Sequence, residues 1–134
     1  MGSSVSTPHD KDILYLRTVY DTYISCQDGT NLIQSADRKD SCQFMIEFTS
    51  RDKVSLKCLN NERYISAKNK EYLEMSESRN ETEYFTPCYL GGKVSFKTCH
   101  DSYISVNKEY KTYQDPIPGE TSDFVIEYMG KFTL

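Results

Sequence analysis

The sequence predicts an all-β chain, and three observations predict it. Apolar residues alternate at spacing two in short runs rich in Val, Ile, Tyr, Phe and Thr, turn-forming residues separate these runs, and helical spacing is nowhere sustained. With 134 residues and 15.5 kDa there is room for one domain. Hydrophobic residues at 37% and charged residues at 27% match an ordinary globular protein rather than a disordered one.

Taken in order, the first third gives strands at residues 14–18, 23–26, 31–36 and 44–49. Gln27-Asp28-Gly29-Thr30 carries an Asp-Gly hairpin signal, and the charged stretch over 36–41 belongs in water. The second third gives strands at 53–58, 64–67, 72–76 and 84–90, broken by Asn60-Asn61 and by residues 76–83, with Pro87 weakening the last as a regular strand. The final third gives 93–99, 103–106, 110–114 and 124–129. Gly91-Gly92 precedes it, and a loop with Pro116, Pro118 and Gly119 lies inside it.

Three markers keep one period. Tyr23-Ile24-Ser25 recurs as Tyr64-Ile65-Ser66 and Tyr103-Ile104-Ser105, steps of 41 and 39 residues, and Phe44, Phe85 and Phe124 repeat those two steps. Lys53-Val54-Ser55-Leu56-Lys57 and Lys93-Val94-Ser95-Phe96-Lys97 lie 40 apart, and a further 40 back stands Ile13-Leu14-Tyr15-Leu16-Arg17 with the same alternation. Four strands in each of three repeats of about 40 residues fit a β-trefoil. A propeller of three blades would fall below the usual ~4 to 8, and its Trp-Asp signature cannot occur in a chain without Trp. The expected layout is a flexible segment over residues 1–12, then a single trefoil domain over 13–134 with repeats at about 13–52, 53–92 and 93–134. Its expected core is Leu14, Leu16, Ile24, Leu32, Phe44 and Ile46, then Val54, Leu56, Ile65, Leu73 and Phe85, then Val94, Phe96, Ile104, Phe124 and Ile126.

Charge narrows the function. A net charge of −4 and a pI near 5.2 have the wrong sign for a protein that holds nucleic acid by its phosphates. No apolar run approaches the ~18 residues of a membrane span and no signal-peptide h-region opens the chain, so the expectation is a cytoplasmic protein. The five cysteines, Cys26, Cys42, Cys58, Cys88 and Cys99, form no C-x-x-C pair, which leaves no metal site and predicts five reduced thiols that act as small hydrophobes. No cofactor motif is present, and the titratable residues fall in charged turns such as 37–40 and 77–83 that read as solvated loops, so no enzyme is expected. The Asn80-Glu81-Thr82 sequon matters only in a secreted chain and is discounted.

The two Lys-Val-Ser-x-Lys segments, each followed by Tyr-Ile-Ser, resemble the repeat of the fascin-like trefoil family. The layout is that of its small, single-trefoil, hisactophilin-type members, and the resemblance covers residues 13–129. It implies a non-enzymatic cytoskeletal adaptor that binds actin filaments. Because filaments are acidic, a local basic face is needed, and Lys53, Lys57, Lys93 and Lys97 are its candidates, with Lys68, Lys70, Lys108 and Lys111 beside them. Met1-Gly2-Ser3-Ser4-Val5-Ser6 fits the N-myristoylation pattern, which marks Gly2 as a lipidation site and implies reversible membrane contact. The histidine-driven pH switch of that type does not carry over, since only His9 and His100 are present. A lectin-like trefoil that holds a glycan against a tyrosine is the alternative, and a protease-inhibitor trefoil presenting residues 114–122 is a further one.

Overall fold

A computed structural model describes residues 7–26, 29–49 and 52–129. Among them lie twelve strands and no α-helix: β1 (Ile13–Arg17), β2 (Tyr23–Ser25), β3 (Ile33–Ser35), β4 (Phe44–Phe48), β5 (Val54–Cys58), β6 (Arg63–Ser66), β7 (Glu74–Ser76), β8 (Thr86–Leu90), β9 (Lys93–Lys97), β10 (Tyr103–Val106), β11 (Thr112–Asp115) and β12 (Phe124–Tyr128). Single-turn 3₁₀ helices at Asp40–Cys42, Glu81–Glu83 and Glu120–Ser122 precede β4, β8 and β12. Every pairing is antiparallel, in one curled half-barrel sheet whose main path runs β11, β10, β9, β12, β1, β4, β5, β6, β7, while β2 joins β1 to β3 and β8 pairs with β9.

The period-two pattern decides which side chains go inward. In β1, Leu14 and Leu16 are buried while Ile13, Tyr15 and Arg17 stay partly exposed. Each strand lies close to its expected place; β3 and β7 are shorter than expected, and Asn31, just before β3, bridges to Glu74 of β7. β8 runs straight through Pro87, which faces Phe96 of β9. A strand paired on one side tolerates the missing N–H.

Tight turns join the strands. Asp21, Glu62 and Asp101 all adopt positive φ, at 61°, 58° and 61°, two residues before the tyrosines that open or enter β2, β6 and β10. Asp accepts this left-handed conformation more readily than most residues, and at Asp21 and Asp101 the backbone N–H donates to Thr18 O and Thr98 O. Gly91 and Gly92, with φ of 61° and 81°, form the two-residue turn between β8 and β9.

Every residue of the expected core is buried except Ile126, which packs half-buried against it. Phe44, Phe85, Phe96 and Phe124 are fully enclosed, each worth ~1.5 to 3 kcal/mol of burial. Cys26, Cys42, Cys58, Ala67, Met75 and Val106 complete the interior.

Three hydrogen bonds interlock the hairpins at one end. Gln34 N–H donates to Tyr110 O (3.2 Å), Met75 N–H to Thr30 O (2.9 Å) and Gln114 N–H to Glu71 O (2.9 Å). The Gln34 amide also donates to Asn107 O and Lys111 O, and the Gln114 amide to Asn69 O and Tyr72 O.

Two sequence expectations are corrected. Cys26 and Cys58 form a disulfide, so the thiols are not all reduced; Cys42, Cys88 and Cys99 are free. An odd cysteine count excludes full pairing but not one pair, and the fold brings the ends of β2 and β5 together with Cα atoms 6.7 Å apart, within disulfide reach. The acidic stretch at 77–83 is not uniformly solvated. Glu83 is buried, where its carboxylate accepts from Ser66 Oγ and from Asn80 N–H and caps the 3₁₀ turn.

Candidate functional site

The four candidate filament-binding lysines fall at two strand junctions. Lys53 is exposed just before β5, and Lys93 is exposed at the start of β9. Lys57 sits opposite Met45 of β4 and Tyr64 of β6, and Lys97 opposite Thr86 of β8 and Tyr103 of β10. Lys57 Nζ stands 5.9 Å from the centre of the Tyr64 ring, and Lys97 Nζ lies 3.5 Å from Asp101 Oδ1. The alternate residues Val54, Leu56, Val94 and Phe96 are all buried, so a rigid core sets the positions of these lysines.

Beside Lys57 the geometry gathers a charged cluster that the sequence did not flag. Glu47 of β4 accepts from Lys11 Nζ (2.9 Å), Tyr64 Oη (3.0 Å) and Arg79 Nη1 (2.7 Å). Burial alone would push its carboxyl up, but the hydrogen bonds from Lys11 and Tyr64 and the charges of Lys11 and Arg79 outweigh it and hold Glu47 below the usual glutamate value. Tyr64 is pushed up by burial and by its bond to that carboxylate.

A second cluster repeats the arrangement. Glu127 of β12 accepts from Tyr23 Oη (3.0 Å) and Arg38 Nη1 (2.8 Å), and Arg17 Nε lies 3.3 Å away. The Arg38 guanidinium rests 4.6 Å from the centre of the Tyr15 ring. Burial and the bond to Glu127 push Tyr23 up. Both clusters are closed networks of paired charges, which suits structure rather than proton transfer.

Two other surfaces stand out. At the interlocked end, Lys68, Lys70, Lys108 and Lys111 are exposed together with Tyr72 and Tyr110. On another face, a groove of about 470 Å³ is lined by Pro8, Phe48, Val54, Pro87 and Tyr89, and a smaller one of about 190 Å³ shares Thr7 and Tyr89 with it. The Tyr89 hydroxyl is buried there without a hydrogen-bond partner, and burial pushes its pKa up. Gly2 lies outside the described residues. Among the described residues no His, Cys, Asp or Glu side chains are grouped as metal ligands, and no helix is long and apolar enough to cross a membrane.

The sequence pattern singled out the lysines as candidates but not Glu47 and Glu127. The signal was present, since Phe44-Met45-Ile46-Glu47 and Phe124-Val125-Ile126-Glu127 place a carboxylate at the same step of two Phe-led strands, whereas Phe85-Thr86-Pro87-Cys88 does not. No protein-family model matches the chain, and no curated protein matches it in sequence.

Proposed function

We propose that the chain is a β-trefoil that serves as a non-enzymatic cytoskeletal adaptor, binding actin filaments through lysines on its outer strand faces. Support for the trefoil comes from recurrence at one spacing: the positive-φ turns at Asp21, Glu62 and Asp101, the 3₁₀ turns before β4, β8 and β12, and the three interlocking hairpin bonds. Support for the adaptor comes from one observation above the others. The two Lys-Val-Ser-x-Lys strands turn their apolar residues fully inward and leave Lys53 and Lys93 exposed, so a fixed base presents cations to an acidic filament despite the net negative charge. Filament co-sedimentation tests it. The wild-type chain pellets with filaments in a salt-sensitive way, and a Lys53→Glu, Lys93→Glu double variant stays in the supernatant; equal pelleting of the two overturns the reading.

Gly2 adds a reversible lipid tether to this adaptor. One myristoyl chain binds a bilayer with K of only roughly 10⁴ M⁻¹, and the basic residues near it are few, with Lys11 set between Asp10 and Asp12. Co-expression with an N-myristoyltransferase should add one acyl mass to the wild type and none to Gly2→Ala, with liposome sedimentation lost in the variant.

A lectin-like reading is favoured by Tyr72 and Tyr110, whose exposed rings on the interlocked loops offer flat faces to a sugar. A glycan array that compares wild type with Tyr72→Ala and Tyr110→Ala separates it from filament binding.

A further inference from the structure

Three strand junctions in this molecule share one register, and only two of them are closed. At the first, Tyr23 faces Arg17, Arg17 faces Val125, and Glu127 stands two residues further along β12, opposite Tyr15. At the second, Tyr64 faces Lys57, Lys57 faces Met45, and Glu47 stands two residues further along β4, opposite Ser55. At the third, Tyr103 faces Lys97, Lys97 faces Thr86, and the residue two further along β8, opposite Ser95, is Cys88. The position that holds a carboxylate twice holds an exposed thiol the third time.

The arginine is missing as well. Arg38 and Arg79 each lie three residues after the partner of the junction tyrosine, Ser35 and Ser76, and the same step from Asp115 reaches Pro118. Beside Pro118, Ile117 is 73% exposed. Tyr23 and Tyr64 both donate to a carboxylate at 3.0 Å, while the Tyr103 hydroxyl has no hydrogen-bond partner among the described residues. Among the described residues the acid paired with Lys97 is Asp101, whose side chain is 86% exposed, an arrangement water and other ions readily exchange. Asp115 stands opposite Tyr103, and its carboxylate is turned to the Ile117 backbone N–H.

We propose that this third junction is a receptor for an acidic side chain of a partner protein, which brings its carboxylate to the place Glu47 and Glu127 fill in the other two. The incoming carboxylate accepts from Tyr103 Oη, displaces Asp101 from Lys97, and carries an apolar neighbour that rests on Ile117 and Pro118 where an arginine would otherwise stand. With one lysine instead of two cationic groups, the site binds a carboxylate weakly by itself and depends on the apolar contact beside it. The two closed junctions cannot take the same ligand, because an internal carboxylate already occupies the donors. The inference concerns the partner's chemistry and does not depend on the partner being a filament.

The test uses peptide probes, acetyl-Ile-Glu-Ile-amide against acetyl-Ile-Gln-Ile-amide, titrated into ¹⁵N-labelled protein. The glutamate peptide should shift the amides of Cys88, Lys97 and Tyr103 and leave Lys57 and Tyr64 unmoved, with the glutamine peptide about tenfold weaker for want of the charge-assisted bond. Cys88→Glu supplies the carboxylate internally, so it should raise the unfolding midpoint, lose that gain when combined with Tyr103→Phe, and abolish the peptide shifts. Lys97→Gln, which leaves β8 untouched, gives a second reading if Cys88→Glu folds poorly, and it too should abolish the preference for glutamate. Equal shifts with both peptides, no shift at this junction, or an undiminished response in Lys97→Gln overturns the proposal.

Discussion

Glu47 and Glu127 occupy the same step of matching strands and receive the same kinds of donor, yet their surroundings differ in depth. The Glu47 side chain is 7% exposed and is reached by Lys11 from the segment before β1, whereas the Glu127 side chain is 23% exposed and draws its cations, Arg17 and Arg38, from β1 and the loop after β3. The backbone thus fixes where a carboxylate can stand, and the flanking chain decides how strongly it is held. Water screens Glu127 more than Glu47, so the same three-donor arrangement should stabilise the fold unequally.

The largest expected effect follows from removing the carboxylates. Glu47→Ala removes a nearly buried carboxylate and leaves the part-buried Tyr64 hydroxyl without its acceptor, which should cost about 2 kcal/mol, against about 1 kcal/mol for Glu127→Ala, in denaturant unfolding. Equal losses would mean that depth does not set the difference. Acid should separate the two in a related way. Because the Glu47 carboxyl is held below its unfolded value, its stabilisation is complete above the ordinary glutamate range of about 4.3 and is withdrawn as pH falls through the lower folded value. Unfolding midpoints measured from pH 7 to about 3 should therefore fall less steeply in Glu47→Gln than in wild type.

A smaller effect compares the tyrosines. Tyr64→Phe removes a bond to a carboxylate and should cost about 1 kcal/mol, while Tyr103→Phe, with no partner to lose, should stay within about 0.5 kcal/mol of wild type. The last comparison changes no stability. Under native conditions Cys88 should react with an alkylating reagent before Cys99, and buried Cys42 last; after denaturation without reductant three thiols should titrate, and five would remove the Cys26–Cys58 bond from the account.

The interior was legible in the sequence because burial and strand period are local properties. Leu14, Leu16, Ile65, Phe96 and their counterparts could be named from alternation alone. The clusters were not, because their members meet only after folding: Tyr23 and Glu127 are 104 residues apart, and Lys11 reaches Glu47 across 36. Lys57 and Lys97 illustrate the boundary between the two cases. Their spacing marked them as equivalent, but only the cross-strand neighbours reveal that one stands beside a closed network and the other beside an unfilled place. Cys26 and Cys58 fall on the same side of that boundary, since their positions follow the apolar pattern and nothing in their spacing of 32 residues announces a bond.

The pairing of β1 with β12, from Leu14 against Tyr128 to Arg17 against Val125, clasps the first of the described strands to the last. During synthesis, β1 can meet β2 and β4 soon after they leave the ribosome, but the edge meant for β12 stays open until a strand that begins more than a hundred residues after β1 has been made. For that interval the nascent chain carries an unpaired strand edge, the kind of surface to which other extended chains add. This seam, with its long sequence separation, is among the contacts that chain synthesis delays longest, and a holding chaperone would have most to protect before it closes.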